Sequence, residues 1–118
     1  MKGLIIMGDV DRLSELAMRL MVDLSKLYEM LPKQHKYILG DKLINRGVDV
    51  IDICVAIRKK RHKKTDITKL DIYIESTRDL IIVLRATTNV NREIKSNILV
   101  GLKEMGAIVG YLIKTNLQ

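Results

Sequence analysis

The residues of this chain that could do chemistry are mostly cations. Residues 58–64 read Arg-Lys-Lys-Arg-His-Lys-Lys, a run of six fully charged cations and one histidine with no acid among them. Clustered lysine and arginine side chains neutralise phosphates and release counterions, which gives affinity for a polyanion without reading of base sequence. The alternatives are a solvated loop, a nuclear address signal and a contact surface for an acidic protein. A membrane-surface helix is not favoured, because it needs apolar residues among its cations.

The excess positive charge is confined to one segment. Residues 33–64 hold ten cations and three anions, which accounts for the whole net charge of +7. A clustered excess is typical of a surface for a polyanion, whereas a dispersed one indicates only solubility. The tyrosines are scattered and show no base-stacking platform, so binding should be almost indifferent to base sequence. The predicted nucleic-acid-binding residues are Lys33, Lys36, Lys42, Arg46, Arg58, Lys59, Lys60, Arg61, Lys63 and Lys64.

The patterns that catalysis or metal binding requires are missing from the sequence. No glutamate is followed by histidine at the third position, as a di-iron bundle requires, and no glycine-rich phosphate loop occurs. The histidines, His35 and His62, lie in different segments beside lysines that would repel a divalent metal. Arg58 and His62 have only three residues between them, which is too few for the Arg–His motif of helical ribonucleases. We therefore predict a non-enzymatic protein without catalytic residues, metal or cofactor.

Length and composition are those of one globular domain, predicted to cover residues 1–118. With 47% hydrophobic residues the chain can bury a core, which must consist of aliphatic side chains because there is no Phe or Trp. Cys54, the one cysteine, falls in an apolar stripe and is predicted to be an inert core residue. No apolar run reaches the length of a signal peptide or a membrane span, so we predict a cytoplasmic protein that does not enter a membrane.

Apolar residues recur at steps of three and four, which predicts helices throughout. Pro32 separates the first two helices, and Thr-Thr-Asn-Val-Asn at 87–91 separates the last two. Thr65 or Asp66 is expected to cap the third helix, and Asn91 the fourth. The predicted helices span roughly residues 10–31, 33–59, 66–88 and 91–115. Their short connections predict an all-α, antiparallel up-down-up-down four-helix bundle. The inner stripe of the first helix is Leu13, Leu16, Leu20, Leu24, Leu27 and Leu31.

Two features of the predicted helices indicate self-association. Beside its core stripe, the second helix carries another apolar stripe, which favours either a subunit interface or deeper burial of that helix. The members of this second stripe are Ile44, Val48, Ile51 and Val55. On the fourth helix, Gly106 and Gly110 share a face, which suggests that a neighbouring backbone approaches there. We therefore predict that the protein is not a monomer.

Two segments carry a wider pattern. They are residues 27–57, LYEMLPKQHKYILGDKLINRGVDVIDICVAI, and residues 102–114, LKEMGAIVGYLIK. The pattern consists of a turn at Pro32, the basic-aromatic stretch 33–37, Leu39-Gly40-Asp41 with Lys42, and Glu104-Met105-Gly106. These segments resemble the accessory variability determinant family of diversity-generating retroelements. The chain departs from the family at Leu31 and Tyr111, where an aromatic residue and a Trp are usual.

The resemblance implies a four-helix bundle, a fold that the family shares with the proteins encoded in 23S ribosomal RNA intervening sequences. It implies a homo-oligomeric, barrel-like ring, expected to be a pentamer, that binds RNA or DNA and the reverse transcriptase of the element. Such a ring would support the template-primed copying of mutagenic retrohoming. Lys33, Lys36, Lys42 and Arg46 carry over onto the family's basic surface. The alternative is an oligomeric interaction or structural protein of the intervening-sequence type, associated with the ribosome or with RNA.

Overall fold

The computed structural model describes residues 7–59 and 64–116, and within those residues every regular element is helical. The elements are α1 Met7–Met30, α2 Lys33–His35, a π-helical segment Lys36–Gly40, α3 Asp41–Lys59, α4 Lys64–Thr87 and α5 Arg92–Asn116. Because α2, the π-helical segment and α3 follow one another directly, the described chain has four long helical stretches. The predicted all-α architecture is confirmed.

The long helical stretches enclose an aliphatic core. α1 packs against α3 and α5, and α4 packs against the same two helices, so each stretch has two helical neighbours. The molecule measures 48 × 19 × 19 Å. All six leucines of the predicted α1 stripe are buried, as are Val50 and Cys54 on α3. Full burial of one leucine side chain contributes about 1.5–3 kcal/mol, so this core is the main source of stability.

The chain turns between α1 and α2 at Pro32. Its φ of −57° and ψ of 149° are extended, and its carbonyl oxygen accepts hydrogen bonds from the backbone N–H groups of His35 and Lys36. Proline suits this place because it has no N–H of its own to leave unsatisfied at the start of a helix. The π-helical segment that follows was not predicted from the sequence, because five residues are too few to reveal a change of helical period. Such segments are often found at functional sites.

The second helical stretch approaches α1 closely at two glycines. A Cβ atom on Gly40 would lie 2.8 Å from Cδ2 of Tyr28, and one on Gly47 would lie 2.8 Å from Sδ of Met21. These distances are well inside the optimal separation of non-bonded heavy atoms, about 3.5–4.0 Å. The Tyr28 hydroxyl donates a 2.8 Å hydrogen bond to Oδ1 of Asp41, which holds the ring against Gly40. A side chain at position 40 would displace the hydrogen-bonded Tyr28 ring, whereas one at position 47 would displace only the flexible side-chain ends of Met21 and Leu24.

The connection between α4 and α5 is held by Asn91. Its φ of 44° lies in the left-handed region, which asparagine tolerates better than most residues. Its side-chain oxygen accepts a 3.0 Å hydrogen bond from the N–H of Ile94, so the predicted cap of the last helix is confirmed. The expected cap at Thr65 or Asp66 is wrong, since α4 already begins at Lys64 and both residues lie in its first turn.

The expected backbone approach at Gly106 and Gly110 is wrong for the single chain. Among the described residues, a Cβ atom on Gly106 would meet only Cγ2 of Ile74, at 4.0 Å, and one on Gly110 would meet nothing within 4 Å. Instead, Gly106 lines an open groove of about 640 Å³ between α4 and α5. Glycine leaves this space because it has no side chain to fill it.

One described helical segment, Arg92–Thr115, is long and apolar enough to cross a membrane by length and composition alone, with a mean hydropathy of 1.3. The core helix of a soluble protein can meet the same criteria. In this fold the segment places Ile98, Leu102 and Met105 in the core. Its apolar character is therefore used, at least in part, for packing against α1 and α4.

A two-pronged ion pair ties α5 to α1. The Arg12 guanidinium donates from Nε to Glu104 Oε2 at 2.6 Å and from Nη2 to Oε1 at 3.0 Å, while its Nη1 reaches Glu15 at 3.0 Å. The hydrogen bonds from Arg12 hold the pKa of Glu104 below its ordinary value. Bidentate geometry of this kind gives orientation as well as energy.

Replacing Gly40 with Ala should lower the free energy of unfolding by about 1–3 kcal/mol, because the new methyl group forces the Tyr28 ring off its hydrogen bond with Asp41. Chemical denaturation measures this change. The matched control is Gly101→Ala, where a Cβ atom meets nothing within 4 Å and should stabilise the helix by about 1 kcal/mol. Equal effects of the two substitutions would contradict the close approach.

Replacing Glu104 with Gln should lower the melting temperature at pH 7, because a carboxylate with a lowered pKa stabilises the fold above its unfolded-state pKa. The difference from wild type should shrink as the pH falls through the folded-state pKa, since both side chains are then neutral. Thermal melts across acidic and neutral pH measure this. The control is Glu29→Gln, an exposed glutamate on α1. A pH-independent difference would rule out the ion pair as its cause.

Candidate nucleic-acid interface

The structure describes only the two ends of the basic run 58–64. Arg58 and Lys59 end α3 and Lys64 begins α4, and all three are exposed. The predicted sites Lys60, Arg61 and Lys63 lie outside the described residues, as does His62. Cations in the last turn of a helix are favoured by its dipole, which explains one or two of them on structural grounds. We name Arg58, Lys59 and Lys64 the distal basic patch.

A second group of predicted cations lies at the start of the same helical stretch. Lys33 and Lys42 are exposed, whereas Lys36 is half-buried with Nζ 5.5 Å from the centre of the Tyr28 ring. The Lys36 side chain therefore has an intramolecular partner in addition to any ligand. We name Lys33, Lys36 and Lys42 the proximal basic patch.

Arg46 differs from the cations around it. Its guanidinium carbon lies 4.6 Å from the centre of the Tyr73 ring on α4, and Lys69 Nζ lies 5.8 Å from the same ring. Arg46 is half-buried, while Lys42 one turn before it is exposed. Stacking of this kind contributes about 0.5–2 kcal/mol. From the sequence, Lys42 and Arg46 are both predicted to contact phosphates. In the structure, Arg46 also packs α3 against α4 through its contact with Tyr73.

The two patches lie at opposite ends of one helical stretch. Residues 33–59 rise about 1.5 Å each, so Lys33 and Lys59 are separated by about 40 Å. This is most of the 48 Å length of the molecule. A single phosphate group cannot contact both patches. A nucleic acid that contacts both must run along the molecule, or bind two separate segments.

An exposed aromatic side chain lies beside the proximal basic patch. Tyr37, in the π-helical segment, is 66% exposed, and its neighbour Ile38 is 68% exposed. The sequence shows Tyr37 only as one of four scattered tyrosines, and only tertiary packing separates it from Tyr28, which lies against Gly40. A base can stack on such a ring while neighbouring cations hold its phosphates. Tyr37 is a candidate contact that the sequence analysis missed.

The residues that carry the family resemblance have visible structural roles. Gly40 and Asp41 hold Tyr28, and Glu104 holds Arg12. Glu104 also lines an open pocket of about 300 Å³ together with Arg19 and Asp23. Contacts within the chain therefore account for the residue types at positions 40, 41 and 104, independently of any ligand.

Groups with catalytic potential are few in the described residues. Cys54 is 2% exposed and its Sγ lies 3.9 Å from the carbonyl oxygen of Leu13, as expected for a core thiol. Burial raises the pKa of this thiol to about 11, which keeps it protonated and unreactive at neutral pH. Within residues 7–59 and 64–116, no three His, Cys, Asp or Glu side chains are grouped so that they could hold a metal ion.

Comparison of the chain with protein-family models, with curated proteins and with solved structures finds no match. The family resemblance described from the sequence remains a prediction.

Proposed function

We propose that this protein is a non-enzymatic, basic accessory protein that binds nucleic acid and a reverse transcriptase in a diversity-generating retroelement. The observation that carries the proposal is the placement of the whole net charge on one segment, residues 33–64, whose described lysines are mostly exposed. Two basic patches whose outermost residues, Lys33 and Lys59, lie about 40 Å apart suit a long polyanion better than a small anion. The retroelement assignment depends on the resemblance of residues 27–57 and 102–114.

We also propose an antiparallel up-down-up-down arrangement of the four long helices. Three contacts between α1 and α3 support it. Leu13 meets Cys54, Met21 meets Gly47, and Tyr28 meets Asp41. As the position on α1 rises, its partner on α3 comes earlier in the chain, which is the order that antiparallel neighbours give.

We propose a homo-oligomer on the basis of the apolar surface of α1 and α3, and its proposed size, a pentamer, depends on the family resemblance. Met18 and Val22 on α1 are 55% and 52% exposed, and Val48 on α3 is 46% exposed. The other members of the second stripe, Ile44, Ile51 and Val55, are half-buried, so the stripe is only partly covered within the chain. Apolar surface grouped in this way is typical of an interface. A ring would repeat the basic patches and add their weak phosphate contacts by avidity.

A cytoplasmic location without a membrane is part of the same proposal. The protein would meet the reverse transcriptase and its template there.

The alternative is an RNA-associated protein of the intervening-sequence type. It is favoured by the exposed Tyr37 beside the proximal basic patch, because this arrangement can bind RNA without a polymerase. A purified retroelement reverse transcriptase distinguishes the two: co-migration with this protein on gel filtration supports the first, and RNA binding without co-migration supports the second.

Replacing Arg58, Lys59 and Lys64 with Gln should weaken binding of both RNA and DNA. Each lost phosphate contact should reduce the slope of log K against log salt by about 0.7–0.9, so the triple variant should lose about 2–3 units of slope. Fluorescence anisotropy at several salt concentrations measures this. The melting temperature should hardly change, since exposed charges contribute little to folding.

The matched control for this variant carries Gln at Lys26, Lys103 and Lys114, which are exposed and lie outside residues 33–64. It loses the same net charge and should keep most of the wild-type slope. If the two variants lost equal slope, binding would depend on net charge alone and the distal basic patch would be a solvated surface.

Replacing Val48 with Asp should dissociate the oligomer while leaving the chain helical, because the new charge would be buried at the interface but is solvated in the free chain. Light scattering should give five times the chain mass of 13.5 kDa for wild type and a lower mass for the variant. The control is Asn45→Asp, an exposed residue on the same helix. A wild-type mass of one chain at micromolar concentration would overturn the oligomer proposal.

A further inference from the structure

A small polar pocket lies at the turn between α4 and α5. It has a volume of about 280 Å³. No carboxylate of the described residues lines it. Its lining residues are Arg85, Thr88, Asn89, Arg92, Lys95 and Ser96.

The cations of this pocket are not neutralised by the described part of the chain. Among the described residues, Arg12 forms ion pairs with Glu15 and Glu104, and Arg78 forms one with Glu75. None of these pairs involves Arg85, Arg92 or Lys95. Three positive charges therefore share a site without an acid. Like charges this close raise the free energy of the folded state unless an anion joins them.

Lys95 makes the arrangement costly in the absence of a ligand. The residue is only 1% exposed, yet its Nζ donates a single 2.6 Å hydrogen bond, to the backbone oxygen of Thr88. An ammonium group has three donors, and a buried charge is tolerated when it is paired and hydrogen-bonded. Burial lowers the pKa of Lys95, and the charges of Arg92 and Arg85 lower it further. A bound anion would oppose all three effects.

The pocket geometry selects the kind of anion. Its volume is at the lower limit of the roughly 300–1,000 Å³ of sites for drug-sized ligands, so it suits a small group. Two guanidinium groups, one ammonium group and the neutral donors of Asn89 and Ser96 match the several oxygens of a tetrahedral oxyanion. The pocket also lies at the first turn of α5, where the helix dipole favours negative charge.

We propose that Arg85, Arg92 and Lys95 form a binding site for a phosphate group. The phosphate can be free or part of a nucleic acid. Asn91 at this turn contacts Met30, through Nδ2 and Sδ at 2.9 Å, so the pocket lies at the same end of the molecule as Lys33 and the proximal basic patch. A nucleic-acid strand that contacts the proximal basic patch therefore passes the end of the molecule where this pocket can bind one of its phosphates. This site is independent of the ten cations predicted from the sequence.

The test uses the full chain and inorganic phosphate, at constant ionic strength set with sodium chloride. Phosphate should raise the melting temperature of wild type in a saturable way, because it binds the folded state. Replacing Arg92 with Gln should weaken phosphate binding by at least about tenfold, measured by titration calorimetry. In phosphate-free buffer the same variant should melt higher than wild type, because one repulsive charge has been removed. A residue with a merely structural role would instead melt lower.

Arg85→Gln should repeat this behaviour, which keeps the test independent of any one variant. Arg78→Gln, an exposed arginine on α4 outside the pocket, is the control and should bind phosphate as wild type does. No phosphate effect beyond that of chloride, or an equal effect in all variants, would overturn the site.

Oligonucleotide binding distinguishes the two sources of phosphate. If Arg92→Gln also weakens binding of a short RNA, the site takes a phosphate of the nucleic acid. If RNA affinity is unchanged while inorganic phosphate binding is lost, the site takes the free ion. Either result supports the site. The second leaves the proposed nucleic-acid function to its own test on the distal basic patch.

Discussion

The contact of the Tyr28 ring with Gly40 and Asp41 determines how the basic stretch of the chain lies on α1. The ring fills the space that a side chain at position 40 would need, and its hydroxyl holds the first residue of α3. Further along, Gly47 lets Met21 and Leu24 come close to the α3 backbone. With α3 placed in this way, its buried face meets α1 and α4, while Lys42, Arg58 and Lys59 face outward and Arg46 packs on Tyr73.

The absence of Phe and Trp has consequences for the surface as well as for the core. An interior of leucine, isoleucine, valine and methionine has no large rings, and all four tyrosines are half-buried or exposed. Two of them meet cations: Tyr28 lies beside Lys36, and Tyr73 beneath Arg46. Such contacts orient long, flexible side chains that would otherwise be free in solvent. The charge of this protein is therefore partly organised by its few aromatic rings.

Electrostatics acts differently at two places on α5. On the side facing α1, Glu104 is matched by Arg12 in a bidentate pair, and this contact supports the packing of two helices. At the start of α5, the charge of Lys95 is buried against a backbone oxygen with only other cations near it. The first arrangement is complete within the chain. At the second, one neutral hydrogen bond offsets only part of the desolvation of Lys95, and the proposed phosphate would offset the rest.

The sequence by itself determined the helical class, the inner stripe of α1, the break at Pro32 and the cap at Asn91. Each depends on neighbours within about one or two helical turns, and such local patterns can be read directly. It also located the net charge, because charge is a property of composition. Only the tertiary structure decided that Arg46 stacks on Tyr73, that Tyr37 is exposed while Tyr28 is packed, and that Arg85, Arg92 and Lys95 share a pocket. Those facts depend on which side chains from different helices and turns come together in space, and helical period alone does not specify them.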